Sequence, residues 1–164
     1  MTVRLSKTLL VFLTGLYFLL VGIDNILAYD NNFEFVRHVL LMDTTYPNNP
    51  LMWRAVTDPS LHHAAYWIII AAELLAGALC VLGAWRLYRE RHAEADDFNQ
   101  AKTAAVAGLV LGFALFFFGF NTIGAEWFQM WQSPVWNAQQ ESFRALASVG
   151  IVLIFLSFRD SELT

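Results

Sequence analysis

The sequence predicts an all-α protein, a four-transmembrane-helix bundle with short interfacial helices in its outer loops. Three observations carry this. Hydrophobic residues make up 57% of the 164 residues and charged ones only 15%, against about 25% charged in an ordinary soluble domain. The charges crowd into a few segments and leave long gaps. Four of those gaps approach the roughly 20 residues that an apolar helix needs to cross a hydrocarbon core.

The first span covers about 8–29 and is charge-free from Thr8 up to Asp24. Arg4 and Lys7 give it a basic start like that of a signal peptide. Its apolar run is long, however, and GIDNILAYD offers no small-x-small cleavage site, so it is expected to stay as an anchor. An outer loop, 30–63, follows. Within it Phe33 to Met42 reads as a helix lying in the interface, with Asn31 or Asn32 as its cap. YPNNP is a turn, and LMWRAV allows one more helical turn. Asp58 and Pro59 form a cap and first turn for the second span, 64–85, which is interrupted only by Glu73.

The inner connection, 86–102, mixes charges of both signs and reads as a solvated connector. The third span, 103–125, has no charge, and Ala104, Gly108 and Gly112 form a small-xxx-small stripe for close helix contact. A second outer loop, 126–141, leads to the fourth span, 142–158. Its charge-free part is short, so Arg144 and Arg159 are expected to snorkel to the two surfaces. Seven lysines and arginines fall on the side of the termini and three on the other. The positive-inside rule then puts both termini in the cytoplasm, for a multi-pass protein of a bacterial inner membrane. The whole chain reads as one membrane domain.

Glu73 is the tenth of 22 residues in its span. That places it ~14 Å below the outer end, near the middle of a ~30 Å core. An ionisable residue at that depth marks a functional site by default. Its alternative role is interhelical glue, as a protonated or hydrogen-bonded carboxyl. Thr14, Tyr17 and Asp24 recur at helical spacing in the first span, and Tyr17 is the expected donor to Glu73.

Trp127, Trp131 and Trp136 follow the third span. Trp127 and Trp131 are four residues apart and are expected on one helix face, as an aromatic belt at the membrane boundary. Glu126 beside them is expected to be tied by Arg37, Arg54 or Arg144, fastening the outer cap to the bundle. His38, His62 and His63, with Asp43 and Glu126, lack the i, i+4 spacing of a helical metal site, so no metal is expected. No histidine lies inside a span to hold haem, no catalytic serine or cysteine motif occurs, and no helix is basic enough for nucleic acid. Neither enzyme activity nor a cofactor is expected. The single cysteine, Cys80, excludes a disulfide within the chain.

FVRHVLLMDTTY (Phe35 to Tyr46), MWRAV (Met52 to Val56), the Glu73 region and GAEWFQMWQSPVWNAQQESFR (Gly124 to Arg144) together resemble a bacterial family of predicted small integral membrane proteins of unknown function. The resemblance implies four spans and makes the outer loops the distinctive part. It supplies no substrate, cofactor or catalytic residue. Two roles follow for testing. One is a non-catalytic accessory or assembly subunit, packed in the bilayer against another membrane protein or a second copy. The other is a small proton- or ion-linked transport or ligand-binding protein using Glu73. A quinone-site or respiratory-complex subunit is a third, weaker reading.

Overall fold

The structure is a computed structural model that describes residues 1–162. Helix α1 spans Thr2–Leu27, α2 Tyr29–Leu41, α3 Pro59–Arg89, α4 Ala95–Ala101 and α5 Thr103–Ala114. A π-helix, Leu115–Trp127, continues α5, and α6 spans Gln139–Ser157. Four of these rods are long and apolar enough to cross a membrane: α1, α3, α4–α5 with its π extension, and α6. Loops 42–58 and 128–138 lie at one end, the loop end. The termini and α4 lie at the other.

One stripe of α1 explains how the bundle is built. Arg4, Lys7, Val11, Gly15, Phe18, Gly22 and Asn25 are all buried, at steps of three and four residues that keep them on one helix face. This face packs on α3 in antiparallel register. Gly15 lies against Cys80 and Val81, Leu19 against Gly77, and Gly22 against Leu74 and Glu73. The approach is close enough that a methyl group on Gly77 would sit 2.9 Å from the Leu19 backbone nitrogen. α5 closes on the other side of α3, where a side chain at Gly83 would strike the Ala105 backbone. Such small-residue seams let dispersion hold helices together where lipid removes the hydrophobic driving force. Gly108 shares in this contact as expected, against Ala76 and Cys80, and Ala104 is buried, while Gly112 receives the Phe18 ring.

Several details differ from the expectations. α2 starts at Tyr29, four residues early, with no side-chain cap. The cause is continuity: Ala28 still donates to the Asp24 carbonyl at 2.8 Å and Asn31 donates to Ala28 at 3.1 Å. α2 therefore has no bare N-terminus for Asn31 or Asn32 to cap. The Asp58 cap does form, with its carboxylate accepting from the Ser60 N–H at 2.8 Å. The inner connection is more than a solvated linker, because α4 buries Phe98 completely. The guanidinium of Arg4 lies 4.6 Å from that ring centroid.

The π-helix is the least ordinary element, since such helices normally last a single turn. The Asn121 amide donates to the Phe116 carbonyl (2.9 Å) and the Thr122 hydroxyl to Phe117 (3.0 Å). Both reach back five residues, and Phe128 N–H closes the series on Ile123 at 3.0 Å. The Asn121 amide also donates to the Ser142 hydroxyl at 3.1 Å, which ties this segment to α6.

Candidate functional site beneath an aromatic cap

Glu73 is 3% exposed and turned into the α1–α3 seam. Its carboxylate accepts a hydrogen bond from the Asn25 amide at 2.7 Å. The Asn25 side-chain oxygen in turn accepts from Asn32 of α2 at 2.7 Å, and the Asn25 main-chain carbonyl accepts from the Tyr66 hydroxyl at 3.3 Å. A polar chain thus runs from the buried carboxyl to Asn32 on the surface of α2. Above it, Tyr29, Phe33, His63 and Tyr66 form a cluster of rings, with Phe33 and His63 stacked at 4.1 Å.

Tyr17 does not reach Glu73. In the observed register Leu19 already faces Gly77, so Tyr17 lies more than one turn away, and it is exposed on the outer surface of α1. Thr14 donates back to the Leu10 carbonyl, and Asp24 is exposed. The partner of Glu73, Asn25, was not legible as such, nor were Asn32 and Tyr66, which bond Asn25 in turn. The 3–4 spacing of Val11, Gly15, Phe18, Gly22 and Asn25 is the signal that marks Asn25 as facing inward.

The loop end is a second polar and aromatic assembly. Trp127 and Trp131 do not share a helix face. The helix ends at Trp127, and Gln129 adopts the left-handed conformation at φ 53° before a 3₁₀ turn at Met130–Gln132. Each tryptophan of this loop instead meets a residue of the first loop. Trp127 packs edge-on to Trp53, Trp131 edge-on to Tyr46, and Trp136 stacks on His38 at 4.7 Å. Trp127 and Trp131 remain 44% and 42% exposed, so their outer edges still face the surroundings at the boundary.

The expected tether through Glu126 is absent among the described residues. Glu126 is exposed, Arg37 pairs with Glu34, and Arg144 pairs with Glu141. Local i, i+3 partners capture these two arginines because no chain entropy is needed to bring them together. Arg54 does fasten the cap, but through other atoms. Its guanidinium lies 4.4 Å from the Trp127 ring centroid and 5.4 Å from that of Trp53, and it donates to the Trp127 carbonyl at 3.2 Å. Neutral bonds complete the lock, with the Asn49 amide donating to Gln129 at 2.7 Å and Thr44 to Ser133 at 2.8 Å. The histidines diverge. His38 bonds Asp43 at 2.8 Å, His62 bonds the Val56 carbonyl at 2.7 Å, and His63 stacks on Phe33.

At the termini end, Lys7 and Lys102 both hold Asp160 at 2.6 Å. All three side chains are at most 8% exposed. Arg4, also buried, donates to the Arg91, Ala93 and Ser161 carbonyls. Burial works to raise Asp160, but the hydrogen bonds from Lys102 and Lys7 outweigh it and hold the carboxyl below its ordinary value. Arg159 pairs at the surface with Asp96 at 2.6 Å.

The fold and its two ordered ends define a four-span, all-helical integral membrane protein whose loops form a compact cap. The chain belongs to the family described as "Predicted small integral membrane protein (DUF2165)", which matches residues 3–159. No curated protein and no solved structure matches it. The resemblance carried by the loop motifs is therefore shown across nearly the whole chain, and the protein's place is a lipid bilayer.

Proposed function

We propose that the protein is a non-catalytic accessory or assembly subunit that seats a transmembrane helix of a larger membrane complex between α1 and α6. One observation carries this reading. A cleft of about 480 Å³ separates the two helices, lined by Thr14, Tyr17 and Ser148 among apolar neighbours, with Glu141 and Arg144 at its loop-end mouth. Tyr17 is 44% exposed, and its hydroxyl makes no hydrogen bond among the described residues. A hydroxyl left without a partner in hydrocarbon is unfavourable, and a neighbouring helix can satisfy it. Thr14 and Ser148 donate to carbonyls of their own helices, which leaves their oxygens free to accept. α6 also has surface to spare, since only 17% of its apolar window is buried, against 39% for α3.

In this reading Glu73 is interhelical glue, the chain performs no chemistry of its own, and no cofactor is needed. The membrane is the bacterial inner membrane with both termini cytoplasmic, supported by the seven-to-three distribution of lysine and arginine. The proton- or ion-linked alternative draws less support. The Glu73 carboxyl is held by Asn25, its Cβ lies against Gly22, and the residue does not line the α1–α6 cleft.

Native gels of membranes solubilised in mild detergent test the proposal. Wild type is expected in a complex larger than itself. Ser148→Phe, which fills the cleft from an exposed position, is expected to release a lone small species with an unchanged melting profile. Wild type running alone with no co-purifying protein would overturn the reading.

A further inference from the structure

A second groove flanks α1, between it and α3 near the termini end, and its chemistry differs from that of the α1–α6 cleft. It encloses about 620 Å³ and is walled by Leu9, Phe12, Val81, Trp85 and Tyr88. The one hydroxyl on the α1 wall, Thr8, is turned back to the Arg4 carbonyl at 2.8 Å. The α1 wall therefore offers a partner helix no free donor, and the groove's other polar groups are the Tyr88 hydroxyl and the Trp85 indole N–H on the α3 wall. From Val81 to Tyr88 the groove runs ~10 Å along the helix axis, which suits the upper part of a lipid chain.

Two arginines stand beside the termini end of the groove without lining it. The Arg89 guanidinium lies 4.8 Å from the Trp85 ring centroid, and that of Arg91 lies 4.0 Å from the Tyr88 centroid. Arg91 is braced twice: its guanidinium donates to the Tyr88 carbonyl at 2.6 Å, and its own carbonyl accepts from buried Arg4 at 3.3 Å. Among the described residues no carboxylate lies within 4.0 Å of either guanidinium, whereas Lys7, Lys102 and Arg159 at the same end are all ion-paired. Two arginines are thus held over rings that wall the groove, neither of them in an ion pair, and Arg89 also borders a neighbouring hollow that holds Glu90 and Asp97.

We propose that this groove is a binding site for an anionic phospholipid, with one acyl chain along Leu9, Phe12 and Val81 and the phosphate between Arg89 and Arg91. Aromatic rings orient the guanidiniums at the depth where headgroups sit, and basic pockets between spans recognise anionic headgroups. The two guanidiniums also match phosphate geometry better than ammonium groups do. The inference is independent of the partner-helix reading, which concerns the opposite flank of α1.

The test is native mass spectrometry of the full chain in detergent micelles doped with phosphatidylglycerol or phosphatidylcholine, with a parallel arm containing inorganic phosphate. The expected result is retention of phosphatidylglycerol about tenfold or more above phosphatidylcholine. Arg89→Gln with Arg91→Gln is expected to abolish this preference, and Arg89→Lys with Arg91→Lys to keep part of it. Both pairs replace side chains outside the core, and the melting profile checks folding. Leu9→Trp, which fills the groove from an exposed position, is expected to lower retention of both lipids. Equal retention of the two lipids overturns the proposal, as does a preference that survives the double glutamine variant. Binding of inorganic phosphate as strong as that of the lipid overturns the acyl-chain part. A protein co-purifying with wild type and lost on Leu9→Trp would make the groove a helix-docking surface instead.

Discussion

Glu73 and Asp160 are both buried carboxyls, and the molecule treats them in opposite ways. Glu73 lies within a span and is partnered by the neutral amide of Asn25. Asp160 lies beyond the last span and is gripped by two lysines. The difference teaches where ionic bonds are affordable in this fold. A lysine at the depth of Glu73 would itself have to leave water for hydrocarbon, so a neutral donor is the cheaper partner. At the termini end, the lysines' own helices start in the polar zone, and the ammoniums meet Asp160 without crossing the core.

The sharpest break in this comparison is Asp160→Asn. It leaves two buried ammoniums without a counter-charge and is expected to destabilise the folded protein by about 3–5 kcal/mol, read by thermal unfolding in detergent. An unchanged melting temperature would show that the lysines are solvated. The same cluster predicts a direction with pH. The folded-state value of Asp160 is depressed, so its stabilisation is full above the ordinary 3.8 and is lost as pH falls through the folded value. The termini end is therefore expected to weaken in acid. Hydrogen exchange of α4 and the first turn of α1 along a pH series measures this.

A middle-sized effect is expected for Glu73→Leu. It orphans the Asn25 amide in an apolar seam, at a cost of about 1–3 kcal/mol. Glu73→Gln sharpens the contrast further, because its side-chain oxygen still accepts from Asn25. Its loss is expected to stay within about 1 kcal/mol. If Glu73→Gln is instead as damaging as Glu73→Leu, the charge of Glu73 matters and the glue reading fails.

The four spans, the Asp58 cap and the short turn at 52–54 were legible because they rest on local composition and on hydrogen bonds between near neighbours. The partners of Glu73 were misread because depth was counted along each helix separately. Antiparallel register sets which residues face each other, and here the close approach of Gly15, Gly22 and Gly77 moves Tyr17 away and brings Asn25 in. The tryptophans were misread for a related reason. A helix was extended through Trp131, while the π-helix stops at Trp127 and Gln129 turns the chain. The Glu126 tether failed because Arg37 and Arg144 pair with acidic neighbours one turn away, while Arg54 crosses to the Trp127 ring and carbonyl instead.

The sequence by itself determined that this is a four-span membrane protein with most of its positive charge at one end, since hydrocarbon length and charge exclusion act on composition alone. Tertiary structure alone decided which polar groups meet: Asn25 with Glu73, two lysines with Asp160, and each tryptophan of the second loop with a ring of the first. Those pairings join residues far apart in the chain, and their geometry is fixed only when small-residue seams set how closely and in what register the helices pack.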